Sequence, residues 1–288
     1  MALTAILGRW AGEWRARVRL SRRRGLAPVS VVELVIPDLA LSFHDYTIAA
    51  LADLHHPPHG DLEWLRHAVD AVNAISPDLV VLLGDYGESF RGTPALSRRW
   101  YADGLAEMTA DLARVRARDG VLAVLGNHDY YADATMVGEW LQRLGADLLV
   151  NRTRHIARSG GVLRVAGMDD LREGRCDPFA GCDVDEQVPT IVLCHNPDSV
   201  FHLDSRLRVD GVLAGHTHGG QILIPGYGAL VTMARACGRR SASGWVANPR
   251  ATLYVTRGLG EQLPIPMRIN CPPEILVLRL RSGSQQPA

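Results

Sequence analysis

Five short apolar runs that stop abruptly at a polar residue constrain this chain more than any other feature. Leu79–Leu83 (LVVLL) runs into Gly84-Asp85, and Val121–Leu125 into Gly126-Asn127-His128-Asp129. Gly211–Ala214 runs into Gly215-His216-Thr217-His218-Gly219-Gly220-Gln221. Thr190–Cys194 ends in His195-Asn196-Pro197, and Tyr46–Ala52 in Asp53-Leu54-His55. Continuous apolar runs of this length are expected of strands buried on both faces, since a half-exposed strand alternates polar and apolar residues. In open α/β sheets the functional crevice lies beyond the carboxyl ends of the strands. The five loops can therefore meet at one place.

The rest of the pattern supplies the covering layers. Asp61–Ile75 reads as a helix, with Leu62, Leu65, Val69 and Val72 at helical spacing and Pro77 just beyond its end. Leu96–Arg118 and Ala134–Leu144 read as two more helices, and Val31–Ile36 as a strand. From Leu148 onward strands dominate: 148–151, 155–157, 162–166, 253–256 and 274–280, with Gly160-Gly161 fitting a hairpin turn. Alternation first and strands later predicts two sheets packed together with helices outside. Residues 1–27 form a basic amphipathic segment, 28–281 one domain, and 282–288 a disordered tail.

The polar loops carry metal chemistry. His216 and His218, at i and i+2 beyond a strand, are expected to point the same way on an extended segment. Glycines on both sides let the backbone approach what the rings face. Asp53, His55, Asp85, Asn127, His195, His216 and His218 make a mixed oxygen and nitrogen set. Seven side chains exceed what one tetrahedral ion needs and suit two ions sharing a carboxylate. No cysteine takes part, which points away from structural zinc and towards manganese, iron or catalytic zinc.

This order of motifs resembles the calcineurin-like metallophosphoesterases: D-x-H at 53–55, G-D at 84–85, G-N-H-D at 126–129, His195, and G-H-T-H at 215–218. The similarity runs from about His44 to Leu280. It is nearest the single-domain bacterial branch with GHTHGGQ and a late Arg257-Gly258-Leu259-Gly260. The resemblance implies a four-layer α/β/β/α sandwich of two mixed sheets, with a dimetal site at the strand carboxyl ends. Asp53, His55, Asp85 and His218 then bind one divalent ion, and Asn127, His195 and His216 complete the second, with Asp85 bridging. Hydroxide held by the ions attacks phosphorus, and His128 protonates the leaving oxygen or stabilises its charge. Asp129 either orients His128 or caps the following helix.

Other residues receive plainer readings. His56 and His59 are expected on a surface loop, Asp169-Asp170 at the start of a turn, and Cys194 in the core. Arg98, Arg99, Arg114, Arg116 and Arg118 read as a solvated helix face. The G-D motif continues as Tyr86-Gly87-Glu88-Ser89. It lacks the arginine that grips a phosphomonoester in the family's protein phosphatases, which disfavours that activity.

Charge narrows the partners. All 31 basic residues are arginine, and seven of them crowd into the first 24 residues beside one acid, Glu13. The remaining body is mildly acidic, so no nucleic-acid partner is expected. Read as a helix, the head sets Leu3, Ile6, Leu7, Trp10, Trp14 and Val18 on one apolar stripe, with Arg17 intruding and most arginines opposite. That arrangement suits peripheral contact with a membrane through residues 1–24; a helix packed on the domain, or a frayed basic tail, are the alternatives. No run of 18 apolar residues predicts a membrane span, and five cysteines without a C-x-x-C pair fit a reducing compartment. The expected location is cytoplasmic, extending to the inner face of the membrane.

The expected function is two-metal hydrolysis of a phosphodiester or pyrophosphate bond, with manganese favoured. The basic head and the apolar run Ile222–Val231, which is either a core strand and turn or a wall beside the site, tilt the substrate towards a lipid-linked molecule such as UDP-diacylglucosamine. Nucleotide or cyclic-nucleotide diesters are the alternative substrates. A non-catalytic, membrane-associated metal-binding protein is the alternative of another class. Ligand loss would mark it, and all seven ligand types and His128 are present.

Overall fold

The structure, a computed structural model, describes residues 20–21, 27–92, 94–184, 187–239, 242–248, 251–262 and 266–283. Most of the basic head and the end of the tail lie outside the described residues. Two six-stranded sheets face each other. The first contains β1 (Val29–Ile36), β2 (Thr47–Leu51), β3 (Leu79–Leu82), β4 (Val121–Ala123), β5 (Ala146–Leu148) and β12 (Ile275–Ser282), in the order β1-β12-β2-β3-β4-β5. The second contains β6 (Arg152–Arg158), β7 (Gly161–Gly167), β8 (Thr190–Cys194), β9 (Gly211–Ala214), β10 (Gly244–Val246) and β11 (Leu253–Val255), in the order β10-β11-β9-β8-β7-β6. Both are mixed: β2-β3-β4-β5 and β7-β8-β9-β11 run parallel, while β12 against β2 and β6 against β7 are antiparallel.

Strict alternation decides which layer each side chain enters. On β2 and β3, Ile48, Ala50, Leu79 and Val81 point between the sheets, where they meet Leu163, Val165, Ile191, Leu193 and Leu213. Their neighbours Ala49, Leu51, Val80 and Leu82 point outward against the helices. Both faces are covered, which is why these runs are apolar throughout. Four helices form the outer layer: α1 (Glu63–Ile75), α2 (Pro94–Leu112), α3 (Asn127–Ala132) and α4 (Ala134–Arg143). α1 buries Trp64, Leu65, Ala68, Val69 and Val72, a face worth roughly 1.5–3 kcal/mol for each large side chain removed from water.

On the far side of the second sheet, Val192, Cys194, Val212, Ala214 and Val255 pack under the 3-10 helix Pro197–Phe201 and irregular segments carrying Met168, Leu203, Leu207 and Cys237. Among the described residues that layer contains no α-helix. Here the chain's proline and glycine-rich loops provide the cover that helices provide opposite. The last strand extends through Ser282, whose hydroxyl donates to the Leu39 carbonyl at 2.7 Å. The fold thus reaches one residue into the stretch expected as tail.

Candidate dimetal active site

The carboxyl ends of β2, β3 and β4 in one sheet and of β8 and β9 in the other converge. Asp53 and His55 follow β2, Asp85 follows β3, Asn127 follows β4, His195 follows β8, and His216 and His218 follow β9. All seven side chains are buried. Backbone bonds stitch the loops together: Asp53 N–H donates to Gly84 O at 3.0 Å, His55 N–H to Asp85 O at 3.1 Å, and Gly215 N–H to His195 O at 3.0 Å. His195 Nδ1 spans the two sheets, 2.8 Å from Leu83 O.

Among the described residues three overlapping clusters of ligand atoms result, each with its atoms within 4.8 Å of one another: Asp53, His55 and His218 at one end, Asp85, His195 and His216 at the other, and His55, Asp85 and His128 between them. Asp85 stands between them, Oδ2 lying 3.0 Å from His195 Nε2 and 3.4 Å from His55 Nε2. Its Oδ1 accepts from the His128 backbone N–H at 2.8 Å, which turns the other oxygen toward the histidines. His218 Nε2 is 3.2 Å from His55 Nε2, and His195 Nε2 is 3.1 Å from His216 Nδ1.

The backbone is strained to make this possible. Asp53 (φ 53), His55 (φ 42), Asp85 (φ 56), His216 (φ 71) and His218 (φ 51) are all left-handed without being glycine. The extended segment expected for His216 and His218 is therefore absent. Two left-handed turns flank Thr217 and send the two rings to different clusters instead of along one face. Close packing explains two of the motif glycines. A Cβ on Gly126 would collide with the Asp85 carboxylate and lie 2.8 Å from His195 Cγ, and one on Gly215 would lie 2.6 Å from Asp53 Oδ2.

The residues fit divalent metal. The donor set is entirely nitrogen and oxygen, and Asn127 Oδ1 is buried with no hydrogen-bond partner, a cost that a cation removes. Burial pulls the pKa of His55 and His195 down, but the facing carboxylates outweigh it. Asp85 and Glu88 hold His55 up at about 10, while Asp85, Asp53 and Asp170 hold His195 up at about 10. Burial alone would raise Asp85, yet His195, His128 and His55 keep it well below the ordinary carboxylate range. Burial raises Asp53 to about 6, against the pull of His195, and drives His216 and His218 well below the usual histidine range.

Comparison with known proteins identifies the family. The family model of the calcineurin-like phosphoesterases matches residues 46–220, a span that holds every residue of these clusters. The chain belongs to the calcineurin-like phosphoesterases. It is 31% identical over 238 residues to phosphodiesterase YaeI of Escherichia coli strain K12, covering 82% of each chain. It is also 31% identical over 271 residues to a Danio rerio transmembrane protein with metallophosphoesterase domain, covering 89% of this chain and 58% of that one. Among solved structures, a dimetal phosphatase from Danio rerio aligns over 75% of this chain and 88% of its own, at 15% identity and a TM-score of 0.45. The protein is a metal-dependent phosphoester hydrolase.

Around the phosphoesterase clusters, the structure adds groups that the motifs did not single out. Glu88, three residues past Asp85, is buried with Oε2 3.5 Å from His55 Nδ1 and Oε1 3.7 Å from His128 Nδ1. Ser89 Oγ donates to the His128 carbonyl at 2.7 Å and lies 3.3 Å from its Nδ1. Gln262 Nε2 reaches His128 Nε2 at 3.1 Å, and Gln221, the last residue of GHTHGGQ, accepts from the Gln262 backbone N–H at 2.6 Å. Glu88 had a signal, a carboxylate inside a motif loop. Gln262 had none, since its partner is 134 residues away.

Several plainer expectations are refined. Asp129 caps the short helix α3 in which it lies, accepting from the N-cap Gly126 N–H, and its carboxylate also accepts from the backbone N–H groups of Asp85 and Tyr86 and from the Tyr101 hydroxyl. It ties two loops and α2 together, and burial with Asp85 nearby raises it to about 7. His56 is not a surface residue; it is buried under α2 with Nε2 2.9 Å from Glu107. The Pro57-Pro58 turn folds it inward, while His59 stays exposed. Asp170 does open a turn, accepting from Arg172 and Glu173 N–H, and Cys194 packs in the core. Arg98, Arg114 and Arg118 are solvated and pair with Asp133, Asp70 and Asp78.

Proposed function

We propose that this phosphoesterase cleaves a phosphodiester or pyrophosphate bond using two divalent ions, manganese for preference. The observation that carries the reading is the pair of ligand clusters bridged by Asp85, whose Oδ2 lies 3.0 Å from His195 Nε2 and 3.4 Å from His55 Nε2, held by left-handed backbone at five non-glycine positions. Strain of this kind, about 1–3 kcal/mol per residue, persists where function requires it. Asp53, His55 and His218 would hold one ion, Asn127, His195 and His216 the other, and Asp85 both. Two such ions neutralise phosphoryl oxygens and acidify water. His128 stands beside them, its ring 4.6 Å from that of His55, positioned to protonate the leaving oxygen or stabilise its charge. Glu88 and Ser89 on its Nδ1 side orient the ring, and the Glu88 carboxylate opposes part of the burial that lowers its pKa to about 4.

The name of the Escherichia coli relative supports a diester substrate. The arginine-rich head and the apolar run after the metal histidines support a lipid-linked one such as UDP-diacylglucosamine, reached through peripheral membrane contact by residues 1–24 on the cytoplasmic face. Five free thiols, Cys176, Cys182, Cys194, Cys237 and Cys271, suit that compartment. The test is hydrolysis of a soluble chromogenic phosphodiester with added manganese. Wild type should turn over, and Asp85→Asn should fall by at least about a hundredfold. An Asp85→Asn rate equal to wild type would sink the shared-ligand reading. A panel of nucleotide diesters and lipid-linked pyrophosphates then separates the two substrate classes.

A further inference from the structure

Directly after GHTHGGQ the chain forms a two-stranded ribbon, Leu223–Ile224 against Gly228–Ala229. Two strands this short are not stable alone in water, and the ribbon is anchored at both ends. Ile222 bridges Ile269, Asn270 donates to Leu223 O at 3.0 Å, and Arg172 donates to Met233 O at 2.6 Å. The apolar side chains are nevertheless left outside. Ile224 is 37% exposed, Tyr227 48%, Leu230 44%, Val231 57% and Met233 47%. Five large apolar groups exposed within ten residues form a patch, and such patches mark interaction surfaces. Beside the patch a cavity of about 630 Å³ opens between Ile224, Pro225 and Arg239. The Arg239 guanidinium lies over the Tyr227 ring, 5.0 Å from its centroid.

Three observations identify what covers it. An apolar face edged by tyrosine and arginine matches the boundary between acyl chains and headgroups. Leu20–Ser21 pairs antiparallel with Arg268–Ile269, and Ile269 is the residue bridged to Ile222. The N-terminal segment with Arg9, Arg15, Arg17 and Arg19 therefore joins the fold at the root of the ribbon, where its charge complements anionic lipid. Finally, only Gly219, Gly220, Gln221 and Ile222 separate the ribbon's first strand from His218.

We propose that Ile222–Met233 docks on an anionic bilayer leaflet, with Ile224, Tyr227, Leu230, Val231 and Met233 in the interfacial layer and Arg239 at the headgroups. Docking then sets the mouth of the dimetal site against the leaflet; that consequence rests on the catalytic reading above, and the docking itself does not.

The experiment is co-sedimentation of the full chain with vesicles of phosphatidylcholine alone or mixed with phosphatidylglycerol. Wild type should partition onto the anionic vesicles. Leu230→Glu with Val231→Glu, at exposed positions, should lower partitioning about tenfold or more with an unchanged thermal melt. Arg15→Gln, Arg17→Gln and Arg19→Gln together should lower it on the order of a hundredfold at low salt. Ribbon-variant binding equal to wild type would overturn the proposal, as would wild type staying in the supernatant with both vesicle types. A wild-type dimer that becomes a monomer in the ribbon variant would overturn it in favour of a second copy covering the patch. Asp85→Asn should bind vesicles as wild type does, so a wild type that binds but hydrolyses nothing sinks the catalytic reading and leaves docking standing.

Discussion

At the scale of single residues, two of the four histidines among the candidate ligands hold protons that a metal must displace. His55 and His195, held at about 10 by the carboxylates around them, carry protons at neutral pH. A metal accepts only the neutral imidazole, so loading expels those protons, and affinity rises as pH climbs toward 10. Calorimetric titration of manganese at about pH 7.5, in buffers of different ionisation enthalpy, should show about two protons released per fully loaded chain; no release would contradict these pKa directions. His128 behaves differently. Burial lowers it to about 4, with Asp85 and Glu88 opposing. It is needed most where the leaving oxygen is a poor one. His128→Ala should slow an alkyl-leaving diester about 10²–10⁴-fold and a nitrophenyl diester far less. Equal losses on both would assign His128 to ground-state binding instead.

At the scale of elements, the strands and long helices were legible because their apolar periods are strong. LVVLL is buried on both faces, and the α1 stripe of Leu65, Val69 and Val72 is buried against the first sheet. What escaped was set by contacts between distant segments. The bond from Gln262 to His128, the inward turn of His56 and the left-handed histidines of GHTH depend on loops brought together by both sheets. The ribbon after GHTHGGQ read equally well as a core strand, because its composition is apolar and only the fold leaves it uncovered. One element carries a correctable flaw. α1 ends at Ser76 in the left-handed conformation (φ 53), where glycine is at ease. Ser76→Gly should stabilise the protein by about 0.5–1 kcal/mol, read as a higher denaturation midpoint; a lower midpoint would mean the Ser76 hydroxyl bond to Asn73 O matters more than the backbone.

At the scale of the whole molecule, the two sheets share one apolar layer between them and one polar seam at their carboxyl ends. His195 reaches from the second sheet to Leu83 O in the first, and the His216 N–H donates to Asp53 at 3.0 Å. Metal bound at that seam links both halves and stabilises the folded state by mass action, about 2.7 kcal/mol per ion at a hundredfold excess over its Kd. Chelation should therefore lower Tm by roughly 5–10 °C, and an unchanged Tm would mean the seam holds itself without metal. At the seam, Asp85 is proposed to join two ions in one centre. Electron paramagnetic resonance of the manganese-loaded protein tests it most directly. Two manganese per chain with an exchange-coupled spectrum in wild type, and loss of that coupling in Asp85→Asn, is the predicted result. One ion per chain, or two that do not couple, would contradict it.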